Sequence, residues 1–152
     1  MYKRQGDDSN VTFNDVTLAN NIGYGLGMEC GEGSNVTLTD VTAANNNDFG
    51  LGVACNEGIN VTLTDVTAAN NNGFGLYVVC GEGSNVTLND VTVANNSNGG
   101  LGMSCNIGSK VTLIGVIVTN KVELMFMVHA FYISLIVQVQ YHTTNLPLLV
   151  EV

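Results

Sequence analysis

The stretch NVTLTDVTAANNNGFGLYVVCGEGS, residues 60–84, has close copies on both sides of it in the chain. Its opening Asn-Val-Thr also begins at Asn10, Asn35 and Asn85, so the copies follow one another at a constant spacing, and Lys110 opens a fifth, degenerate copy. Repeats of roughly 20 to 50 residues are typical of solenoids and propellers, in which each unit buries its apolar face against its neighbours. The sequence therefore predicts one repeat array over most of the chain.

Composition and charge limit the class of protein. The chain has 152 residues, 45% of them hydrophobic and 11% charged, which is enough for one core and one domain. Its formal net charge is −9, with only 4 Lys and Arg residues, so no basic groove can be assembled. This balance argues against nucleic acid or an anionic membrane surface as a partner.

Three short stretches of residues 60–84 alternate apolar and polar side chains with a period of two, which is typical of β-strands. They are residues 61–64, 66–68 and 74–80, and Asp65 separates the first two. Asp and Gly both tolerate a left-handed backbone, so the equivalents of Asp65 predict a tight bend rather than a catalytic row. This bend column consists of Asp15, Asp40, Asp65, Asp90 and Gly115.

Three strands and three corners per copy describe a triangular coil that stacks on the next through parallel ladders at ~4.8 Å. The Asn-Val-Thr-Leu-Thr-Asp-Val-Thr and Asn-Asn…Gly-Leu-Gly-Val units resemble the right-handed parallel β-helix repeats of the pectate-lyase-like superfamily, from residue 10 to about 130. The resemblance implies an all-β, right-handed parallel β-helix of about five coils. We expect a partial coil at 1–9, coils at 10–34, 35–59, 60–84, 85–109 and 110–134, and a cap or irregular tail at 135–152.

Enzymes of that superfamily keep their catalytic groups on the outer face of the strand that corresponds to residues 74–80. The outward columns there contain mostly glycine, and Glu29 is their one carboxylate. Glycoside hydrolysis needs two carboxylates, and lyase chemistry in this superfamily needs an acidic calcium nest and a basic residue. We therefore predict no catalytic residue, and we expect His129 and His142 to be surface or core side chains.

Each complete copy contains one cysteine, at a position whose place in the alternating pattern predicts an inward side chain. We expect these cysteines to form a buried thiol column: Cys30, Cys55, Cys80 and Cys105. Packing as small apolar side chains is the favoured interpretation, with Ala130 taking the same place in the fifth coil. Disulfides that pair Cys30 with Cys55 and Cys80 with Cys105 remain open in an oxidising compartment, because stacked neighbours lie within bridging distance. A metal site is disfavoured, since one thiol per coil does not surround an ion.

Acidic side chains form two columns, the bend column and the row Glu32, Glu57 and Glu82. Solvated corners can hold such rows of like charge, so we predict no cofactor. Calcium bridging successive coils is the alternative.

Outward threonines form a regular lattice that resembles the ice-binding faces of small β-solenoid antifreeze proteins. Thr is also a good solvent-facing β residue, so a purely structural role stays open. Asn10, Asn35, Asn60, Asn85 and Asn95 also fit the N-glycosylation pattern. The threonines of the predicted surface are Thr12, Thr37, Thr39, Thr62, Thr64 and Thr87.

The C-terminal third loses the Asn and Gly punctuation, and residues 124–137 are apolar except for His129 and Ser134. This run is shorter than the ~20 residues of a membrane span, so we predict a last coil followed by a cap. Phe126, Val128 and Ala130 fall one repeat after the inward positions Leu101, Met103 and Cys105. A hydrophobic end of this kind shields the edge of the last coil or supports end-to-end self-association.

The favoured function is a non-enzymatic scaffold or adhesion module, with polysaccharide as a candidate ligand, in an extracellular or cell-surface setting. The start of the chain has no apolar run that could serve as a signal peptide, so we expect it to be a segment of a larger exported protein. Ice or mineral-surface binding through the threonines is the first alternative. A polysaccharide lyase or hydrolase without recognisable catalytic groups is the second.

Overall fold

The computed structural model describes residues 1–119, 125–128 and 149–151, and every element in those residues is a β-strand. The described part of the chain contains no helix long and apolar enough to cross a membrane. The strands are β1 (Tyr2–Arg4), β2 (Asn10–Ala19), β3 (Leu26–Cys30), β4 (Asn35–Ala44), β5 (Leu51–Cys55), β6 (Asn60–Thr64), β7 (Thr67–Ala69), β8 (Phe74–Cys80), β9 (Asn85–Asn89), β10 (Thr92–Ala94), β11 (Gly99–Cys105), β12 (Lys110–Ile114), β13 (Ile117–Thr119), β14 (Met125–Val128) and β15 (Leu149–Glu151).

The strands form two parallel sheets that run the length of the coil stack. The first sheet has the order β1-β3-β5-β8-β11-β14-β15, and the second has the order β12-β9-β6-β4-β7-β10-β13, with β2 paired to β4. Equivalent residues of successive copies are partners, as in the pairs of Leu51 with Leu76 and Leu76 with Leu101. The predicted fold class, an all-β parallel solenoid of about five coils, is confirmed.

The first two strands of a coil are less separate than the sequence predicts. β2 and β4 continue through Asp15 and Asp40 as bent strands of 10 residues, whereas the later coils divide at Asp65, Asp90 and Gly115. Both halves of each bent strand therefore belong to the second sheet.

Each complete coil turns at three residues with a left-handed backbone. The first corner is the bend column, with φ of 52° at Asp15 and 53° at Asp65. The second is a row of asparagines that includes Asn70 at 56°, and the third is mostly glycine and includes Gly83 at 63°. Asp, Asn and Gly are the residues that adopt this conformation at the lowest cost, so the polar corners direct the path of the chain.

The core is a stack of apolar columns between the two sheets. Leu26, Leu51, Leu76 and Leu101 form one of them, each with 0% exposure, and Val and Leu residues of the second sheet face them. Because each side chain packs on its equivalent one coil above and below, the core has the same cross-section along the rod.

The fifth coil corrects one prediction about register. Cys105 pairs with Val128, whereas the constant repeat spacing predicts Ala130 as its partner. The repeat spacing is still kept where Ala94 pairs with Thr119, so two residues are lost between Thr119 and Met125. Of the Asn and Gly residues found at the earlier second corners, the sequence there keeps only Asn120. Ala130, like His129 and His142, lies outside the described residues.

The φ of 53° at Asp65 leads to a prediction about backbone conformation. Asp65→Gly and Asp65→Asn should change the free energy of unfolding little, whereas Asp65→Val should lower it by ~1–2 kcal/mol, because a β-branched side chain clashes in this region. Urea denaturation of the three variants, with calcium and with a chelator, measures both effects. A stability loss in Asp65→Asn that occurs only with calcium would instead support the ion-bridging alternative.

Candidate functional site

An aromatic column runs along the outer edge of the first sheet, where each strand of that sheet begins. Tyr24, Phe49 and Phe74 occupy equivalent positions in three successive coils. Their rings meet edge to face, with centroid distances of 5.3 Å between Tyr24 and Phe49 and 5.7 Å between Phe49 and Phe74. Such contacts hold the rings in fixed positions. These side chains were not among the predicted site residues, although an aromatic residue recurring in three copies was a usable signal.

A groove lies next to this column, and its length is set by two tyrosines. Tyr2 pairs with Gly27, Gly27 with Gly52, and Gly52 with Tyr77, so two glycines separate two tyrosines along one outward column. The resulting space, hereafter the aromatic groove, has a volume of about 170 Å³. Its lining includes Tyr2, Tyr24, Phe49, Tyr77, Gly27 and Gly52.

The glycines keep the groove open because a side chain at either position would project into it. A Cβ atom on Gly52 would lie 3.7 Å from the Phe49 ring and 3.9 Å from the Leu26 carbonyl oxygen, which are ordinary contacts. On Gly27 it would lie 3.3 Å from the Tyr2 ring. Gly52 is therefore not required by the backbone, and a larger residue there would fill space that is now empty.

Polar groups stand at the end of the groove near the N-terminus. Glu29 is a half-exposed carboxylate that also lines the groove, and its interaction with the Tyr2 hydroxyl raises the pKa of Tyr2. Arg4 Nε lies 3.5 Å from Glu29 Oε2, but both side chains are well exposed, so this ion pair is weak. The groove thus combines aromatic walls with a carboxylate that can accept hydrogen bonds from hydroxyl groups.

The neighbouring surface is acidic. A groove of about 580 Å³, lined in part by Asp7 and Glu29, and one of about 560 Å³, lined in part by Asp7, Glu32 and Glu57, lie next to the same sheet edge. With a net charge of −9 this surface repels polyanions.

A buried asparagine ladder lies behind the aromatic column, at the second corner. Asn46, Asn71 and Asn96 are at most 2% exposed. The Asn71 side chain donates to Asn96 Oδ1 at 2.9 Å and to the Ala43 carbonyl at 3.1 Å. Its own Oδ1 accepts from the backbone and side-chain nitrogens of Asn46, at 3.0 and 2.9 Å. The ladder satisfies the buried polar groups of the turn and thereby fixes the chain segments that carry the aromatic rings.

With the repeat geometry established, the chain can be compared with known proteins. The family model described as right handed beta helix region matches residues 5–136. The chain belongs to the right-handed β-helix family. The resemblance inferred from the repeat units is thus confirmed. No curated protein and no solved structure matches this β-helix.

The thiol column of this β-helix is in register and buried. Cys30, Cys55, Cys80 and Cys105 are successive partners in the first sheet, and their exposure ranges from 0% at Cys105 to 8% at Cys55. All four are free thiols in this structure. Cys105 and Cys80 share a thiol hydrogen bond with an Sγ–Sγ distance of 3.2 Å.

The predicted threonine surface of the β-helix lies on the second sheet, away from the aromatic groove. Thr12, Thr37, Thr62 and Thr87 are successive partners, and the column continues to Thr112. In the neighbouring column Thr39 pairs with Thr64, between Asn14 and Asn89. The threonine side chains are half-buried or exposed, so the lattice faces solvent.

The carboxylate columns occupy exposed corners of the β-helix. Asp15, Asp40, Asp65 and Asp90 are exposed, as are Glu32, Glu57 and Glu82. Among residues 1–119 and the described parts of the C-terminal strands, no three His, Cys, Asp or Glu side chains are grouped so as to hold a metal ion.

An exposed ladder marks the repeated glycosylation motifs. Asn35 Nδ2 donates to Asn10 Oδ1 at 2.8 Å, Asn60 to Asn35 at 2.9 Å, and Asn85 to Asn60 at 3.0 Å. Glycosylation of these residues stays a prediction.

Proposed function

We propose that this β-helix is a non-catalytic carbohydrate-binding module whose aromatic groove holds part of an uncharged polysaccharide. The observation that carries the proposal is the column Tyr2, Gly27, Gly52 and Tyr77, flanked by the fixed rings of Tyr24 and Phe49. Aromatic faces bind the apolar C–H face of a pyranose ring, and a carboxylate such as Glu29 accepts hydrogen bonds from its hydroxyl groups.

The size of the groove supports a ligand of one or two sugar units. Its volume of about 170 Å³ is below the ~300–1,000 Å³ of pockets that enclose drug-sized molecules. An open groove of this size on a rod suits one segment of a long chain that continues past both ends. Affinity at one such site is modest, and a scaffold or adhesion role would gain strength from several copies.

The charge distribution favours neutral over acidic glycans. The groove lies beside Asp7, Glu32 and Glu57, and Glu29 is the one carboxylate among its described lining residues. The negative potential of these carboxylates would repel a polysaccharide made of negatively charged uronate units. A single carboxylate also does not provide the two that glycoside hydrolysis needs, so we propose binding without cleavage.

Substituting the floor of the groove tests the proposal. We expect Gly52→Val to reduce binding to a neutral glucan or mannan at least ~10-fold, because the new side chain fills the space between the tyrosines. Tyr24→Ala should also weaken binding, since Tyr24 is 39% exposed and offers its ring to the ligand. Affinity electrophoresis against neutral polysaccharides and polygalacturonate measures both variants.

Thr62→Lys is the matched control, since Thr62 lies on the second sheet and its substitution should leave glycan binding unchanged. Thermal unfolding should show that Gly52→Val remains folded. Equal binding by wild type and both groove variants, or stronger binding to polygalacturonate than to neutral chains, would contradict the proposal.

The registered threonines support ice or mineral-surface binding as a second candidate. Five threonines from Thr12 to Thr112 are successive partners in parallel strands, which repeats a hydroxyl and a methyl group every ~4.8 Å. If this surface binds ice, Thr62→Lys should abolish the shaping of growing ice crystals, and Gly52→Val should not. Unshaped crystals in wild-type protein would eliminate this candidate and leave the groove proposal intact.

A further inference from the structure

The thiol column has the geometry for covalent bonds between neighbouring coils. Its residues are partners in register across parallel strands, Cys30 with Cys55, Cys55 with Cys80, and Cys80 with Cys105. Parallel neighbours have Cα atoms ~4.8 Å apart, inside the roughly 4.4–6.8 Å range of disulfides. The Sγ atoms of Cys80 and Cys105 are already in contact at 3.2 Å.

The sulfur contact between Cys80 and Cys105 leaves Cys30 and Cys55 as the remaining pair of neighbours in the column. The hydrogen bond with Cys55 lowers the pKa of Cys30, and the same bond, together with burial, raises the pKa of Cys55. The bond between Cys80 and Cys105 likewise lowers the pKa of Cys105 and raises that of Cys80. Each pair therefore contains one thiol, Cys30 or Cys105, whose ionisation is favoured over that of its partner.

Two surface grooves lie against the column, and Cys55 keeps 8% exposure. Cys30 and Cys55 both line the groove of about 580 Å³, and Cys55 and Cys80 both line the groove of about 560 Å³. Asp7 lies at the edge of both grooves, and Glu32 and Glu57 line the second one. The acidic rim favours a neutral oxidant over an anionic one.

We propose that the column is a peroxide-oxidisable site that forms two disulfides, Cys30–Cys55 and Cys80–Cys105, each joining adjacent coils. In each pair one thiolate attacks a peroxide oxygen, which breaks the O–O bond and gives a sulfenic acid and hydroxide. The second sulfur then attacks the sulfenic sulfur and expels water. The balance is two thiols and one hydrogen peroxide to one disulfide and two waters, so sulfur is oxidised and peroxide reduced. The inference does not depend on carbohydrate binding.

Peptide mapping of the oxidised wild-type chain tests the pairing without any variant. Glu29, Glu32, Glu57 and Glu82 separate the cysteines, so cleavage after glutamate places them in peptides 30–32, 33–57, 58–82 and 83–123. After treatment with hydrogen peroxide and alkylation in denaturant, we expect loss of all four thiols. The linked peptides should be 30–32 with 33–57, and 58–82 with 83–123.

The first pair should form faster, because Cys30 and Cys55 are 4% and 8% exposed, whereas Cys80 and Cys105 are 1% and 0% exposed. Cys105→Ala should leave Cys80 as an alkylatable thiol and leave the first disulfide unchanged. Ser104→Ala, which changes the neighbouring outward side chain, should form both disulfides. A main product that links 33–57 with 58–82, or four alkylatable thiols after oxidation, would overturn the proposal.

Discussion

Replacing Asn71 with alanine is expected to lower the free energy of unfolding by ~3–5 kcal/mol, the largest effect of any single polar substitution proposed for this chain. The Asn71 side chain is fully buried and takes part in four hydrogen bonds. Its loss leaves the Asn46 backbone N–H and the Ala43 carbonyl without that partner, in a place that water does not reach. Buried polar groups left unpaired in this way each cost ~1–3 kcal/mol.

Asn72 is the matched control for this prediction, because it has the same chemistry one residue further along. Its side chain is exposed and donates one hydrogen bond, to Asn47 Oδ1 at 2.7 Å. Asn72→Ala should therefore change stability by no more than ~0.5 kcal/mol. Chemical denaturation of both variants compares them directly. Similar losses in the two would show that the buried ladder is not what stabilises the second corner.

The second large effect is expected for Leu76→Ala, which should cost ~2–5 kcal/mol. Leu76 is fully buried and stacks between Leu51 and Leu101, so its removal leaves a void between three coils. Surrounding strands are hydrogen-bonded on both sides and cannot close over that void easily.

Val79 gives the comparison for the core prediction, since it lies on the same strand β8 with its side chain on the outer face and half-buried. Val79→Ala should cost ~1 kcal/mol or less. Chemical denaturation of both variants measures the difference in the free energy of unfolding, from the shift in midpoint where the slope of the transition is unchanged. If Val79→Ala is as harmful as Leu76→Ala, the inward and outward faces of this strand have been assigned incorrectly.

The fold could be predicted from the repeat because the residues that form each strand and each corner recur in several copies of the sequence. Alternation identified the strands, and the exchange of Asp for Gly at position 115 indicated that backbone conformation matters at that corner. The register of the fifth coil was predicted incorrectly because spacing alone cannot locate a loss of two residues in a segment that keeps only Asn120 of the earlier turn residues.

The candidate site was less predictable, for a physical reason. The composition of residues 70–73 indicates a turn, but it does not distinguish an asparagine that points inward, such as Asn71, from one that faces solvent. The usable signal was that asparagine occupies this position in all four complete copies, at Asn21, Asn46, Asn71 and Asn96, whereas Asn72 has Ile22 as an equivalent. The aromatic groove was missed because it needs Tyr2, which lies outside the complete repeats and joins the site only through its pairing with Gly27.

The outward column of Tyr2, Gly27, Gly52 and Tyr77 places the ends of the groove a whole number of coils apart. Duplication of one repeat unit between the two tyrosines would lengthen the groove by ~4.8 Å, and deletion of one would shorten it equally. Either event would add or remove one aromatic ring and one groove glycine together, and the corners and core of the remaining coils would stay as they are, because each coil contacts only its neighbours. Unequal recombination within such a gene would thus adjust the length of the ligand segment in discrete steps, without any point mutation in the binding surface.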